Sequence, residues 1–440
     1  MKCAFFLTTV CLIAPHAVLA QTAPDQPLPA PGIPPAERQV TVTEAVARAL
    51  SVQPAMVEAQ GSQRTAKASN RSAWAAFLPS LTTSASASRN STPRIDTNTG
   101  LPIPPGYVYT VGVNANLELF DGFRRFAELK SASATLDAAE AGVLNQRYQV
   151  TLETKQIFYD AAAQEELVRV ADSQVRRARQ QLDATKQRLL LGSATRSDTL
   201  RSAVELGNAR IALMQAQANL AASEMNLGRQ IGLDEPARAV PDSVLPPIPD
   251  PEPLRQGMEN TPEVVQAEAA ARASRANIWT ARSQYFPSLN LSYTDNRQGA
   301  DSPLTSFGDY RETYTWRFGL TWTIFNGLDR EANQISADVE RDVNEARAAD
   351  ARRQVNADFT RQYTSLSTAF QQIQIAATNV TAADEDLRVQ AERYRMGAAT
   401  ILDLLTSQSS LTQAQVSLIQ ARFNYLVARA GLEAIIGREL

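Results

Sequence analysis

The feature that most constrains this chain is that it is written twice. The stretch "ALSVQPAMVEAQ" (49–60) is answered by "GMENTPEVVQAE" (257–268), with Pro54 matched to Pro262. "FLPSL" (77–81) is answered by "YFPSL" (285–289), and Phe120-Asp121-Gly122 by Phe325-Asn326-Gly327. "RLLLGSATRSDTL" (188–200) is answered by "RYRMGAATILDLL" (393–405), and Ile231-Gly232 by Ile436-Gly437. The offset is 208 early (Pro54 to Pro262) and 205 from Phe120 to Phe325 onward, so one loop differs by three residues. Matches that keep their order along the chain imply an internal duplication.

Each copy follows one order: short helix, strand, loop, strand, long helix, interruption, long helix. Short helices are expected over roughly 43–76 and 261–283, followed by Pro79 and Pro287, which disfavour further helix. Hairpin strands are expected at about 80–90 with 108–120, and at about 288–297 with 312–325. The stretches at about 123–191 and 328–396 have helical composition and no proline, and each would reach about 100 Å as one helix. Further long helices are expected at about 195–231 and 400–436. A typical globular helix spans three turns, so something longer than an ordinary domain is being built. The apolar positions on these helices are sparse and small, as at Val204, Leu206, Ile211 and Leu213 in one copy and Leu404, Leu405, Leu411 and Val416 in the other. Such spacing suits narrow helix seams rather than a thick core.

The strands alternate. In "VGVNANLELF" (111–120), Val111, Val113, Ala115, Leu117 and Leu119 share one side, with Gly112, Asn114, Asn116 and Glu118 on the other. In "YTWRFGLTWTIF" (314–325) one face carries Tyr314, Trp316, Phe318, Leu320, Trp322 and Ile324, and the other carries threonines and Arg317. Strands of about 9 to 11 residues, apolar outside and polar inside, fit a membrane barrel. A sandwich with one wet face is the alternative. Two hairpins cannot close a barrel, and open edges cannot stand in lipid. If the strands span a membrane, several subunits must share one barrel, with the loops at 90–107 and 296–312 facing outward.

The remaining segments bound the chemistry. Residues 1–20, MKCAFFLTTVCLIAPHAVLA, read as a signal peptide cleaved before Gln21. They contain Cys3, Cys11 and His16, the chain's whole complement of cysteine and histidine. The mature chain is therefore expected to lack Cys or His nucleophiles and Cys/His zinc sites. The position of the cysteines also argues against an N-terminal lipid anchor. A proline-rich lead-in is expected at 21–40 and a proline-rich linker at 236–254, bounding repeats at 41–235 and 255–440. A net charge of -3 gives no reason to expect nucleic acid as a partner. After the leader no apolar run is long enough for a membrane-spanning helix, which excludes an inner-membrane transporter but not a barrel. No catalytic residue, cofactor or metal site is expected, and the chain reads as a non-enzyme.

The duplication, the proline-bounded hairpins, the Phe-(Asp/Asn)-Gly strand exits, the paired Gly-x-x-Thr interruptions and the late "ARFNYLVARAGLEAIIG" (421–437) together resemble the TolC-type outer membrane efflux proteins. The likeness covers nearly the whole mature chain. It implies a mostly α fold with membrane β: a homotrimer whose 12-stranded β-barrel, four strands per subunit, continues as a long antiparallel α-helical coiled-coil barrel across the periplasm. It also implies outer-membrane lipid around the barrel, a periplasmic adaptor (membrane fusion) protein, and an inner-membrane pump of the resistance-nodulation-division, ABC or metal-efflux type.

Two sites follow from the resemblance. The turns Leu191-Gly192-Ser193-Ala194-Thr195 and Met396-Gly397-Ala398-Ala399-Thr400 match the family's adaptor-docking helix tips. Glycine permits the turn, and a plain helix–helix turn would need it too. Asp403 matches an aspartate that rings the periplasmic aperture, where three carboxylates could attract cations; a solvated helix residue is the alternative. Asp198 and Tyr394 match an aspartate–tyrosine latch. The chain departs from the family's best-known form at Thr406, where some members carry a second ring aspartate, and at Ala399, where some carry arginine. Arg196 and Arg395 are the candidates to supply links instead. The expected function is a passive exit channel of a tripartite efflux system in the Gram-negative outer membrane. A channel for type I protein secretion is the main alternative, and a structural coiled-coil surface protein the lesser one.

Overall fold

The computed structural model describes residues 38–89, 91, 94–95, 102–103, 106–241, 245–300 and 310–440. The leader, nearly all of the lead-in and most of both outer loops lie outside these residues. The first repeat holds β1 (Arg38–Val40), α1 (Val42–Val52), α2 (Pro54–Ala75) and β2 (Ser80–Arg89). A two-residue ladder of β3 (Arg94–Ile95) with β4 (Pro102–Ile103) follows, then β5 (Tyr107–Phe120), α3 (Arg124–Leu190) and α4 (Arg196–Gln230). Between the repeats stand β6 (Ala237–Ala239) and α5 (Pro251–Arg255). The second repeat holds α6 (Pro262–Ser283), β7 (Ser288–Gly299), β8 (Arg311–Thr321), α7 (Asp329–Arg395) and α8 (Ile401–Ile436). Helices α3 and α7 have the same length, 67 residues. None of the described helices is long and apolar enough to cross a membrane.

Several bounds differ from the sequence expectation, each for a local reason. The first short helix is two helices, because Pro54 lacks an N–H and holds Gln53 extended (φ -65°, ψ 129°). The proline-rich lead-in and linker are not wholly unpacked: β1 and β6 pair in parallel, with Val40, Ala237 and Ala239 buried. Strand β8 stops at Thr321, short of Phe325. Beyond it, the carbonyls of Thr323 and Ile324 accept from the Arg330 guanidinium, both at 3.0 Å, instead of from a neighbouring strand.

The four long strands form one antiparallel sheet in the order β2-β5-β7-β8. The register aligns the apolar parity across strands: Leu81 faces Ala115, Ala115 faces Tyr293, and Tyr293 faces Trp316. A bulge after Glu118 corrects the expected alternation, so that Phe120 rather than Leu119 faces Leu289, which faces Leu320. Tyr314, Trp316, Phe318 and Leu320 remain 60–71% exposed in the single chain.

The helices bury small side chains at seven-residue spacing. On α3 these are Ala127, Ala134 and Ala141, then Ala171, Ala178 and Thr185; on α7, Ala348 with Val355 and Ala369 with Ala376. This is the spacing of a coiled-coil seam, where small residues let helix axes approach. Larger side chains gather where β1, β6 and α5 wrap the helices. One core centres on Phe158, Leu227 and Ile231, the other on Phe359, Tyr425 and Leu432. Tyr425 is buried and donates to the Pro246 carbonyl at 2.6 Å, which ties the linker to α8.

The strand exits turn the chain from sheet to helix. Gly122 and Phe123 both have φ of 69°, and Gly327 and Leu328 repeat this at 74° and 71°. Behind the first exit, buried Asp121 accepts from the Arg125 main-chain N–H (2.9 Å) and Nε (3.0 Å). The Arg125 guanidinium lies 5.1 Å from the Phe77 ring centre, and its counterpart Arg330 lies 4.6 Å from that of Tyr285. The exits differ in crowding. A Cβ on Gly122 would meet the Ser283 carbonyl oxygen at 2.6 Å, whereas one on Gly327 meets nothing within 4 Å. Gly327→Ala is therefore expected to cost about 1 kcal/mol, the ordinary penalty of a left-handed alanine. Gly122→Ala is expected to cost more than about 2 kcal/mol, because strain and clash combine. Thermal melting of the two variants in detergent, with Gly122→Ala the less stable, checks this order.

Candidate functional site

The far ends of the long helices carry two tips of one design. At the first, Leu191 ends α3 and Gly192 takes φ of 73°. Gly192 N–H donates to the Leu189 carbonyl (3.0 Å) and Ser193 N–H to the Arg188 carbonyl (2.8 Å). At the second, Met396 ends α7, Gly397 takes φ of 79°, and the same two bonds run to Tyr394 (3.1 Å) and Arg393 (2.8 Å). This is the Schellman closure, which satisfies the last helical carbonyls and needs a left-handed residue. No atom lies within 4 Å of a Cβ built on either glycine, so φ alone selects glycine here and the outer side of each turn is open.

The following helices begin with capping boxes. Asp198 N–H donates to Thr195 Oγ1 (3.2 Å), while Asp198 Oδ2 accepts from the Thr195 main chain (3.0 Å) and hydroxyl (2.7 Å). Thr400 and Asp403 repeat all three bonds at 3.2, 2.9 and 2.8 Å. Each aspartate sits at the third helical position, where it completes the cap and meets the positive end of the helix dipole. The Thr195 bonds hold the Asp198 carboxyl below its ordinary range, and the Thr400 bonds do the same for Asp403.

The sequence-derived site residues separate on this geometry. Within one chain both bonds of Asp198 go to its own cap, not to Tyr394. The Tyr394 partner is Arg188, whose Nη1 donates to the Tyr394 carbonyl at 2.9 Å and whose guanidinium lies 4.5 Å from the ring centre. Arg188 thereby joins the end of α3 to the end of α7. Arg395 pairs with Glu392 on its own helix (2.5 Å), and Thr406 donates back to the Leu402 carbonyl (2.9 Å). No ion pair or hydrogen bond of the Arg196 side chain occurs among the described residues. Phe120 ends β5, whereas Phe325 lies beyond β8. Arg188 escaped the sequence reading, although it opens the "RLLLG" stretch that "RYRMG" answers.

The tips also expose apolar side chains. Leu190 is 88% exposed, Leu191 82% and Met396 72%, with Leu200, Val204 and Leu402 also exposed. Under the first tip a small seam of Ala178, Leu182, Leu206 and Ala209 holds α3 to α4. Each tip is thus a self-capped turn with exposed apolar side chains beside it.

The model of the outer membrane efflux protein family matches this chain twice, over residues 45–233 and 254–438, once for each repeat. Outer membrane efflux protein BepC of Brucella suis biovar 1 is 23% identical over 376 residues, covering 83% of this chain and 78% of that protein. Protein CyaE of Bordetella pertussis is 27% identical over 419 residues, covering 92% and 85%. The solved structure of the outer membrane protein VceC from Vibrio cholerae superposes with a TM-score of 0.77 at 17% identity, covering 90% of this chain and 96% of that one. Matched repeat by repeat and alike in fold over 90% of its length, the chain belongs to the outer membrane efflux protein family, whose members are channels of the outer membrane and not enzymes.

Proposed function

We propose that three copies of this chain form the passive exit duct of a tripartite efflux system. In this reading the pooled sheets make a 12-stranded barrel in outer-membrane lipid. The long helices make a tunnel reaching back through the periplasm. A periplasmic adaptor docks on the tips and an inner-membrane pump supplies the energy. The observation that carries the reading is the sheet. It has an aromatic face, a polar face, and two edges, β2 and β8, with no partner among the described residues. Lipid tolerates the apolar face but not unpaired edges, so closure needs further strands from other copies. Four strands per copy are below the eight of the smallest such barrels, and three copies supply twelve.

The helices support the same closure. α3 packs against both α2 and α6, whereas among the described residues α7 packs against α6 but not against α2. Helices α2 and α6 both have 22 residues, yet α6 buries nine of them and α2 only Met56 and Ala66. α2 thus has a face waiting for the α7 of a further copy.

Substrate selection belongs to the pump in this reading, because a wide water-filled tunnel discriminates weakly. Deleting the gene should sensitise the cell to the pump's small-molecule or metal substrates. Loss of a secreted protein with unchanged sensitivity would instead make the duct part of a protein exporter.

The resting aperture follows from the tip geometry. Hydrogen bonds to a charged group contribute about 1.5–3 kcal/mol and exposed cation–π contacts about 0.5–1 kcal/mol. Arg188→Ala is therefore expected to raise resting conductance in planar bilayers more than Tyr394→Ala does. Tyr394→Phe, which keeps the ring and the carbonyl, should change it little. A large rise with Tyr394→Phe would instead restore the phenol hydroxyl, and a bond to Asp198, as the latch.

The capped aspartates set a pH dependence. Their carboxyls are depressed in the fold, so the cap contributes fully above the ordinary aspartate value of 3.8 and is lost as pH falls through the depressed value. Resting conductance should stay flat above about pH 4 and rise below it. The Asp198→Asn/Asp403→Asn variant should lose that acid response.

A further inference from the structure

The polar face of the sheet is nearly free of charge, and the charges it does carry are unevenly placed. The register sets Ser80, Asn116, Ser292 and Arg317 in one row across the four strands. The next row toward the outer loops is Thr82, Asn114, Thr294 and Thr315. Among the described residues of β2, β5, β7 and β8, the charged side chains on this face are Glu118, Arg311 and Arg317. Glu118 lies at the helix end of the sheet, and its charge is matched there, because Arg124 Nη2 donates to it at 2.8 Å. Arg311 and Arg317 are exposed, and neither side chain has an ion pair or hydrogen bond among the described residues. Arg317 therefore stands at mid-height of the strand, over hydroxyls and amides, with an unmatched positive charge.

We propose that the barrel interior is an anion filter, in which Arg317 from each copy joins a cationic ring that binds multivalent oxyanions, phosphates above all, entering from outside. Arg311 makes a second, weaker tier nearer the mouth. The proposal rests on the trimeric reading above and adds a ligand class at a level of the duct remote from the helix tips. The two repeats differ here. The offset of 205 residues puts Gly112 of β5 at the place of Arg317, so each chain brings one arginine to this level. Space around it is open: Gly319, its neighbour on the same face of β8, has no atom within 4 Å of a built Cβ. The facing residue, Ser292, has only a short hydroxyl.

The dimensions allow three such side chains to act together. Twelve strands about 4.8 Å apart, tilted by about 40°, close at a main-chain radius of about 12 Å. A long arginine side chain reaches inward from that wall, so an ion on the axis lies within roughly one Debye length, about 8 Å at physiological ionic strength, of all three guanidinium groups. Attraction scales with the charge of the ligand, so the ring discriminates strongly for a multivalent anion and weakly for chloride. The planar guanidinium also presents parallel N–H donors that match phosphate and carboxylate oxygens. Rings of arginine or lysine are a known way for pores to select anions. Such a ring favours anionic cargo on its way out and retards cations on their way in.

The test uses the full chain, purified as the trimer in detergent, with inorganic tripolyphosphate as the probe. Isothermal titration at low salt is expected to give one ion per three chains, as a site on the axis requires, with affinity that falls steeply as salt is added. Arg317→Gln should weaken binding at least tenfold and Arg311→Gln less than threefold. Arg317→Lys, which keeps the charge, should stay within threefold of the parent. In planar bilayers, tripolyphosphate added on the barrel side should block the parent at a concentration at least tenfold below that needed for Arg317→Gln. Equal melting temperature and equal unblocked conductance at high salt show that this variant folds and conducts as the parent does. No binding to the parent, three ions per trimer, or binding and block that Arg317→Gln leaves unchanged overturns the ring and leaves the duct standing. A parent chain that forms no oligomer and no conducting pore overturns the duct reading itself.

Discussion

Unpaired main-chain hydrogen-bonding groups are the constraint on which this structure turns. In lipid there is no water to satisfy an open strand edge, and the sheet of this chain has two such edges, one at each end of the order β2-β5-β7-β8. The same sheet presents Trp316 and Phe318 outward, so it can neither stand alone in the membrane nor stay soluble with that face uncovered. In the trimer proposed above, the remedy is to repeat the arrangement until the ends meet.

The helices obey the same need at larger scale. A 67-residue helix satisfies its own main chain along its length and leaves only its ends in question. At the sheet end, the left-handed pairs Gly122-Phe123 and Gly327-Leu328 redirect the chain, with an arginine over an aromatic ring behind each. At the far end, a glycine closes the outgoing helix and a Thr–Asp box opens the returning one. The tip is therefore held by local bonds and stays intact when the helices shift against one another. In the proposed duct, a tip that docks an adaptor while its neighbours move would benefit from that independence.

The two repeats differ at the strand exits and at the tips. Asp121 became Asn326, and the strand after β7 was cut short because Arg330 took its last carbonyls. The apolar tip Leu189-Leu190-Leu191 answers Tyr394-Arg395-Met396. Arg188 finds an aromatic ring across the tips of one chain, whereas its counterpart Arg393 donates to the Ala398 carbonyl of its own turn.

Reading the residues in order was enough for the duplication, the long helices and the alternating strands, because each is written in local periodicity and in repeated spacing. Glycine and threonine at the tips were legible for the same reason: a left-handed turn and a helix cap are nearest-neighbour requirements. Tertiary structure alone decided what those residues touch. The bulge that put Phe120 in the place of Leu119, the pairing of β1 with β6 across some two hundred residues, the capture of the carbonyls after β8 by Arg330, and the turn of Tyr394 toward Arg188 rather than Asp198 all depend on distant segments being brought together. Periodicity records which face a residue occupies, but only packing chooses among the partners that the face can reach.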